Sequence, residues 1–162
     1  MMHALHIAIG SDRAGRHYME TLADDLRSSN QVATVIDIGA AVPTQLSYPE
    51  AAFKAAQLVA AGKADRALLV CHTGLGMAIV ANKVAGIRAV TAHDSLSVEH
   101  AICSNNAQVL AFGQGVIGLA LARRLAKEWL TYEFDALSPA AVKVQAITTL
   151  EDALLSGKCD AH

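Results

Sequence analysis

A short apolar run, Ala67 to Cys71, ends on a cysteine and passes directly into His72-Thr73-Gly74-Leu75-Gly76. A thiol placed there can do chemistry. Glycines ahead of a helical pattern let free backbone N–H groups converge, and the start of a helix stabilises negative charge on a sulfur or a substrate oxygen. The same residues also fit a buried cysteine in a tight glycine turn, and both readings stay open. Two other polar clusters, Gly10-Ser11-Asp12-Arg13 and Ala92-His93-Asp94, follow apolar runs in the same way. Asp12 either orients a substrate hydroxyl or caps the helix after it. Asn105 and Asn106 fit turn residues as well as ligand contacts. Cys103 and Cys159 read as structural or incidental, and His3, His6, His17 and His162 as surface or strand-edge residues. His93 and His100 lie nearer the polar clusters.

These clusters need strands to carry them. Ala4 to Ile9, Val32 to Ile38, Ala67 to Cys71, Ile87 to Thr91 and Val109 to Phe112 read as short buried strands. Helical patterns alternate with them: about Ala14 to Ser28, Tyr48 to Ala61, a stretch to about Val84, Ser97 to Cys103 and Val116 to Trp129. Pro49 suits a first helical turn and Gly62 a helix end. Residues 40–47, with Pro43, read as a loop, and Gly10-Ser11-Asp12 as a turn. A last helical segment covers about residues 138–157. This alternation predicts an α/β fold, a Rossmann-like three-layer doubly wound sheet of about five parallel strands flanked by helices, as one domain over residues 1–162. Ligands of such sheets bind beyond the carboxyl ends of the strands, where all three clusters fall.

Composition narrows the partners. Hydrophobic residues make up 53% of the 162, charged residues 17% and aromatics 4%, which suits a sheet covered on both faces. A net charge of −2 without a Lys/Arg block argues against nucleic acid and anionic membranes. No apolar stretch approaches the roughly 20 residues of a membrane helix, and Met1 to Gly10 reads as a strand rather than a leader. Three cysteines without metal spacing point to a reducing cytoplasm and to no metal site. The low charge content suggests apolar surface buried against a second copy.

The motifs resemble one family. Ile7-Ala8-Ile9-Gly10-Ser11-Asp12-Arg13-Ala14-Gly15 is similar to the opening of ribose-5-phosphate isomerase B and of the galactose-6-phosphate isomerase subunits. Ser47-Tyr48-Pro49, Ala64-Asp65-Arg66, Cys71 to Met77, Ala81 to Ala89, Asn105 to Leu110 and Val116-Ile117-Gly118 follow in order. The resemblance spans about residues 4–135 and implies an aldose–ketose isomerase of small sugar phosphates, with no metal and no organic cofactor. It implies Cys71 as the base that moves a proton between C1 and C2. Thr73, Gly74 and Gly76 would hold the enediolate, and Asp12 and Tyr48 would lie at sugar hydroxyls. Asn105 would be offered by a second subunit, in a homodimer whose site lies at the subunit interface or in a tetramer of such pairs. Arg13 and His72 join them as substrate-binding candidates.

The departures from the family pattern are specific. Arg13 replaces a histidine, His72 a glycine, Ser104 the histidine associated with ring opening, and Gly115 an arginine. Leu137-Ser138-Pro139-Ala140-Ala141 stands where relatives carry phosphate-gripping arginines, leaving three readings open: Arg13 and Lys143 as replacements, phosphate held mainly by backbone amides, or an unphosphorylated substrate, with Arg88 read as structural. A tetrose 4-phosphate cannot close a furanose ring, because the oxygen required carries the phosphate, so an enzyme for it needs no ring opener. Ser104-Asn105-Asn106-Ala107-Gln108 and His93-Asp94 also resemble the erythrulose-4-phosphate isomerase branch. Two competing readings remain. One is a catalytically weakened subunit that binds a sugar or nucleotide for regulation or assembly. The other is a Rossmann nucleotide binder, although Gly74-Leu75-Gly76 lacks the third glycine of that fingerprint.

Overall fold

In the computed structural model, which describes residues 3–40 and 44–157, five strands form one parallel sheet in the order β2-β1-β3-β5-β4. The strands are β1 (Leu5–Ser11), β2 (Val32–Asp37), β3 (Arg66–Cys71), β4 (Ala89–Thr91) and β5 (Val109–Gly113). The helices are α1 (Arg16–Arg27), α2 (Tyr48–Ala60), α3 (Leu75–Ala81), α4 (Ser95–Cys103), α5 (Leu119–Thr131) and α6 (Ala140–Leu155). The expected doubly wound sheet is therefore observed. Pro43, Cys159 and His162 lie outside the described residues.

Strand periodicity divides the core into two layers. Leu68 and Val70 of β3 face α1, α4 and α5, packing with Leu22, Leu26, Leu125 and Trp129. Ala67, Leu69 and Cys71 face α2 and α3, where Ala51, Ala52, Ala55, Ala56, Ala78 and Ala81 dominate. Small side chains let those two helices come close to the sheet. At roughly 25 cal/mol per Å² of apolar area, the larger residues of the first layer contribute most of the hydrophobic stabilisation. No polar or charged residue is buried among those described.

Several boundaries differ from expectation for identifiable reasons. The strand β1 continues through Gly10 and Ser11, read above as a turn, because they pair with Leu69 and Val70 of β3. Helix α3 stops at Ala81 rather than about Val84, since Asn82 turns to β4: its Nδ2 donates to the Ala89 carbonyl at 2.8 Å and its Oδ1 accepts the Ala89 N–H at 2.7 Å. Helix α5 starts at Leu119 rather than Val116, because the Val116 and Ile117 N–H groups turn back to the Gly113 carbonyl. At the other end of β4, His93 reaches across to β5, its Nε2 accepting the Gly113 N–H at 2.9 Å. One asparagine and one histidine thus tie the short edge strand at both ends.

Both ties are open to measurement. Asn82→Ala leaves the Ala89 N–H and carbonyl unpaired, and a loss of about 1–3 kcal/mol in urea unfolding is expected. An unchanged midpoint would show that solvent replaces both bonds. Burial holds the His93 imidazole below its ordinary value, against the opposing pull of Asp94, and the neutral ring is the form that accepts from Gly113. The unfolded chain then binds more protons, so the His93 contribution is complete above about pH 6.5 and is lost as pH falls through that value. Carboxylates held low by hydrogen bonds, Asp25 by Arg123 and Glu50 by Ser47, act only nearer pH 4. Wild type should therefore lose more stability than His93→Gln between pH 7.5 and 5.5; parallel losses would contradict this.

Candidate active site

The site assembles where β3 ends. Cys71 pairs with Gly113 of β5, and the chain then bends over the end of β5 rather than continuing alongside it. The Thr73 backbone sits so close to Gly113 that a Cβ there would lie 2.6 Å from its atoms. Gly74 completes the bend with φ +79°, a left-handed conformation that glycine adopts without penalty. The bend returns the Gly74 N–H to the Cys71 Sγ at 3.1 Å, and the Gly74 carbonyl accepts the Thr91 hydroxyl at 2.9 Å. Cys71 is only 6% exposed. Cys71 thus has both the burial of a cysteine in a tight glycine turn and a backbone donor at its sulfur.

The neighbouring elements bring other expected residues to this bend. Asp12 follows β1, and its Oδ1 accepts the Gly15 N–H at 3.0 Å; it holds the turn ahead of α1 instead of capping the helix, whose N-cap is Gly15 without a side-chain bond. Gly15 itself lies against the Val70 carbonyl, which seats the loop carrying Asp12 and the exposed Arg13 against β3. Tyr48 opens α2, fixed there by Glu50, whose Oε2 accepts the Ser47 N–H at 3.0 Å and the Ser47 hydroxyl at 2.6 Å. The Tyr48 ring lies across Gly76, 2.6 Å from where a Cβ would stand, and remains 43% exposed. The Thr73 Oγ1 accepts the Leu75 N–H at 3.3 Å. His72 is exposed beside Gly115.

Asn105 does not join them. It is exposed before Val109, at the amino end of β5, whereas Cys71 pairs with Gly113 at the carboxyl end, roughly 13 Å of strand away. Arg88 is structural as read: its Nε donates to the Asn106 carbonyl at 2.8 Å. Thr91, which anchors Gly74, and Gln114, whose Oε1 accepts the Tyr18 N–H at 3.2 Å, were not singled out in the sequence. His93 was noted there without its partner on β5, which no local pattern could supply. A cleft of about 570 Å³ opens beside α1, lined by Ser11, Arg16, Asp37 and Gln45 among others. It adjoins the site through Ser11, which pairs with Val70, and does not include Cys71.

Residues 7–147 match the family model described as Ribose/Galactose Isomerase. D-erythrulose-4-phosphate isomerase 2 of Mycolicibacterium smegmatis is 56% identical over 151 residues, covering 93% of this chain and 99% of that protein. Ribose-5-phosphate isomerase B of Escherichia coli is 36% identical over 145 residues, covering 90% and 95%. Among solved structures, ribose-5-phosphate isomerase B of Clostridium thermocellum superposes with a TM-score of 0.84 at 36% identity, over 92% of this chain and 99% of that one. A cysteine held by a backbone donor at the end of a parallel strand, a family match along nearly the whole fold and relatives named as isomerases agree: the chain belongs to the Ribose/Galactose Isomerase family and is an isomerase.

Proposed function

We propose that the protein interconverts the aldose and ketose forms of a short sugar phosphate, with a tetrulose 4-phosphate as the favoured substrate. The observation that carries this reading is the Gly74 N–H directed at the Cys71 sulfur, 3.1 Å away, where the sheet ends. Cys71 takes the proton from the carbon beside the carbonyl, and the electron pair of that C–H bond enters an enediolate. The thiol then returns the proton to the neighbouring carbon, while the hydroxyl proton passes between the two oxygens. The Thr73 hydroxyl and the N–H groups of the Gly74–Gly76 turn bear the developing oxyanion, and Asp12 and Tyr48 orient hydroxyls. Ser104 in place of a ring-opening histidine supports an open-chain substrate, as does the 56% identity to an erythrulose-4-phosphate isomerase.

The reading includes a homodimer with shared sites, or a tetramer of such pairs. Asn105 stands at the wrong end of its own sheet to serve its own Cys71. Helix α6 buries only Val144 and leaves Val142, Ile147, Leu150, Leu154 and Leu155 exposed, with Leu75 and Ile79 of α3 exposed as well. Such apolar surface suits a second copy. Among the described residues no helix is long and apolar enough to cross a membrane, and Cys71 and Cys103 are free thiols, which fits a reducing cytoplasm.

Cys71→Ala should abolish turnover of four-carbon ketose phosphate with folding intact, and near-normal turnover would exclude the thiol as base. Mixing inactive Cys71→Ala with inactive Asn105→Ala should restore up to about a quarter of the wild-type rate, since half of randomly exchanged dimers carry one intact site. No recovery after verified exchange would place Asn105 outside a shared site. Arg13→Ala should raise KM for a phosphorylated substrate more than for its dephosphorylated analogue, and equal effects would remove Arg13 as a phosphate ligand.

A further inference from the structure

His72 and Gly115 are joined in a way the reaction itself does not require. Two backbone bonds join the segments beyond the paired strands: the Gln114 N–H donates to the Cys71 carbonyl at 2.8 Å and the Gly115 N–H to the His72 carbonyl at 2.8 Å. The His72 imidazole then occupies the space beside the bare Cα of Gly115. A Cβ at position 115 would stand 2.2 Å from its Cε1, 2.6 Å from Nδ1 and 2.9 Å from Nε2. No side chain larger than hydrogen at 115 is compatible with that position of the ring. The φ of Gly115 lies outside the left-handed region, so its backbone would accept alanine, and the ring alone demands glycine.

The direction of the ring matters as much as its support. Cys71 packs with the layer of α2 and α3, together with Ala67 and Leu69. The chain bends after Cys71, and the His72 ring meets Gly115, in the segment that leads from β5 toward α5, rather than joining that layer. The loop bearing Arg13 is seated against Val70 by Gly15. Tyr18 holds the same region together, donating from its hydroxyl to the Ile117 carbonyl at 2.9 Å and from its N–H to Gln114. The strand tips beyond Cys71 thus carry the His72 imidazole and, on the neighbouring loop, the exposed Arg13.

We propose that His72 and Gly115 act as one specificity-determining unit, in which the glycine seats the imidazole and the imidazole receives the phosphate end of the substrate. This deepens the isomerase reading and rests on it. An imidazole resting against the Gly115 backbone presents ring N–H donors that suit phosphate oxygens. An isomerase that relied on a long cation at 115 could not place a histidine at 72, because the two would occupy one volume.

The test measures KM for a four-carbon ketose phosphate and the competitive inhibition constant of inorganic phosphate. His72→Ala should raise both by about tenfold, the loss expected for one charge-assisted contact. Gly115→Ala, with His72 intact, should do the same by unseating the ring. The double variant should be no worse than His72→Ala, since the methyl group then meets no imidazole. A rise in KM without weaker phosphate inhibition, a silent Gly115→Ala, or additive losses in the double variant would each overturn the pairing. A wild type active on the phosphate whose variants keep its constants would overturn the unit alone. A wild type inactive on four- and five-carbon phosphates would overturn it together with the activity.

Discussion

The contact between the Thr73 backbone and Gly113 is the constraint from which the site follows. Thr73 can cross the end of β5 only because no Cβ stands there. Crossing at that height forces Gly74 into a left-handed bend, and the bend turns its N–H back onto the Cys71 sulfur. His93 holds the underside of the same crossing by accepting the Gly113 N–H. Chemistry, bend and edge strand are therefore mechanically one object. A donor fixed before substrate arrives needs no reorganisation in the proton transfer proposed for Cys71.

The two faces of the sheet contribute differently. The layer with α1, α4 and α5 is built from large residues, Trp129 and Phe112 among them, and holds the fold together. The layer with α2 and α3 is alanine-rich, so its helices lie close to the strands. Close approach on that face brings Tyr48 over Gly76. Stability and reactivity are thus supplied from opposite sides of one sheet, and β3, the central strand, contributes to both.

The departures from the family pattern form a consistent set when placed in space. His72 and Gly115 are far apart in sequence, yet one fills the volume the other leaves empty. The chain has no arginine between Leu137 and Ala141, and His72 and Arg13, just beyond the strand ends, are the groups on which the proposed phosphate contact rests.

Local patterning in the sequence determined much of the fold. The alternation of apolar runs and helical stretches specified a parallel doubly wound sheet, and every strand was found within a few residues of its expected place. Cys71, Thr73 and Gly74 were legible because a cysteine before a glycine turn is a local arrangement. The order of strands was not, since placing β5 between β3 and β4 depends on which helix covers which face, a choice made only in packing. Nor could the sequence join His93 to Gly113, Asn82 to β4, or His72 to Gly115, because each pair meets through strand neighbours that the chain visits at different times. Asn105 shows the opposite case: its place in the chain was plain, and only the sheet revealed that it lies at the far end from Cys71. Periodicity is a property of neighbouring residues and can be read along the chain. A site made by three strand tips exists only once they are brought side by side.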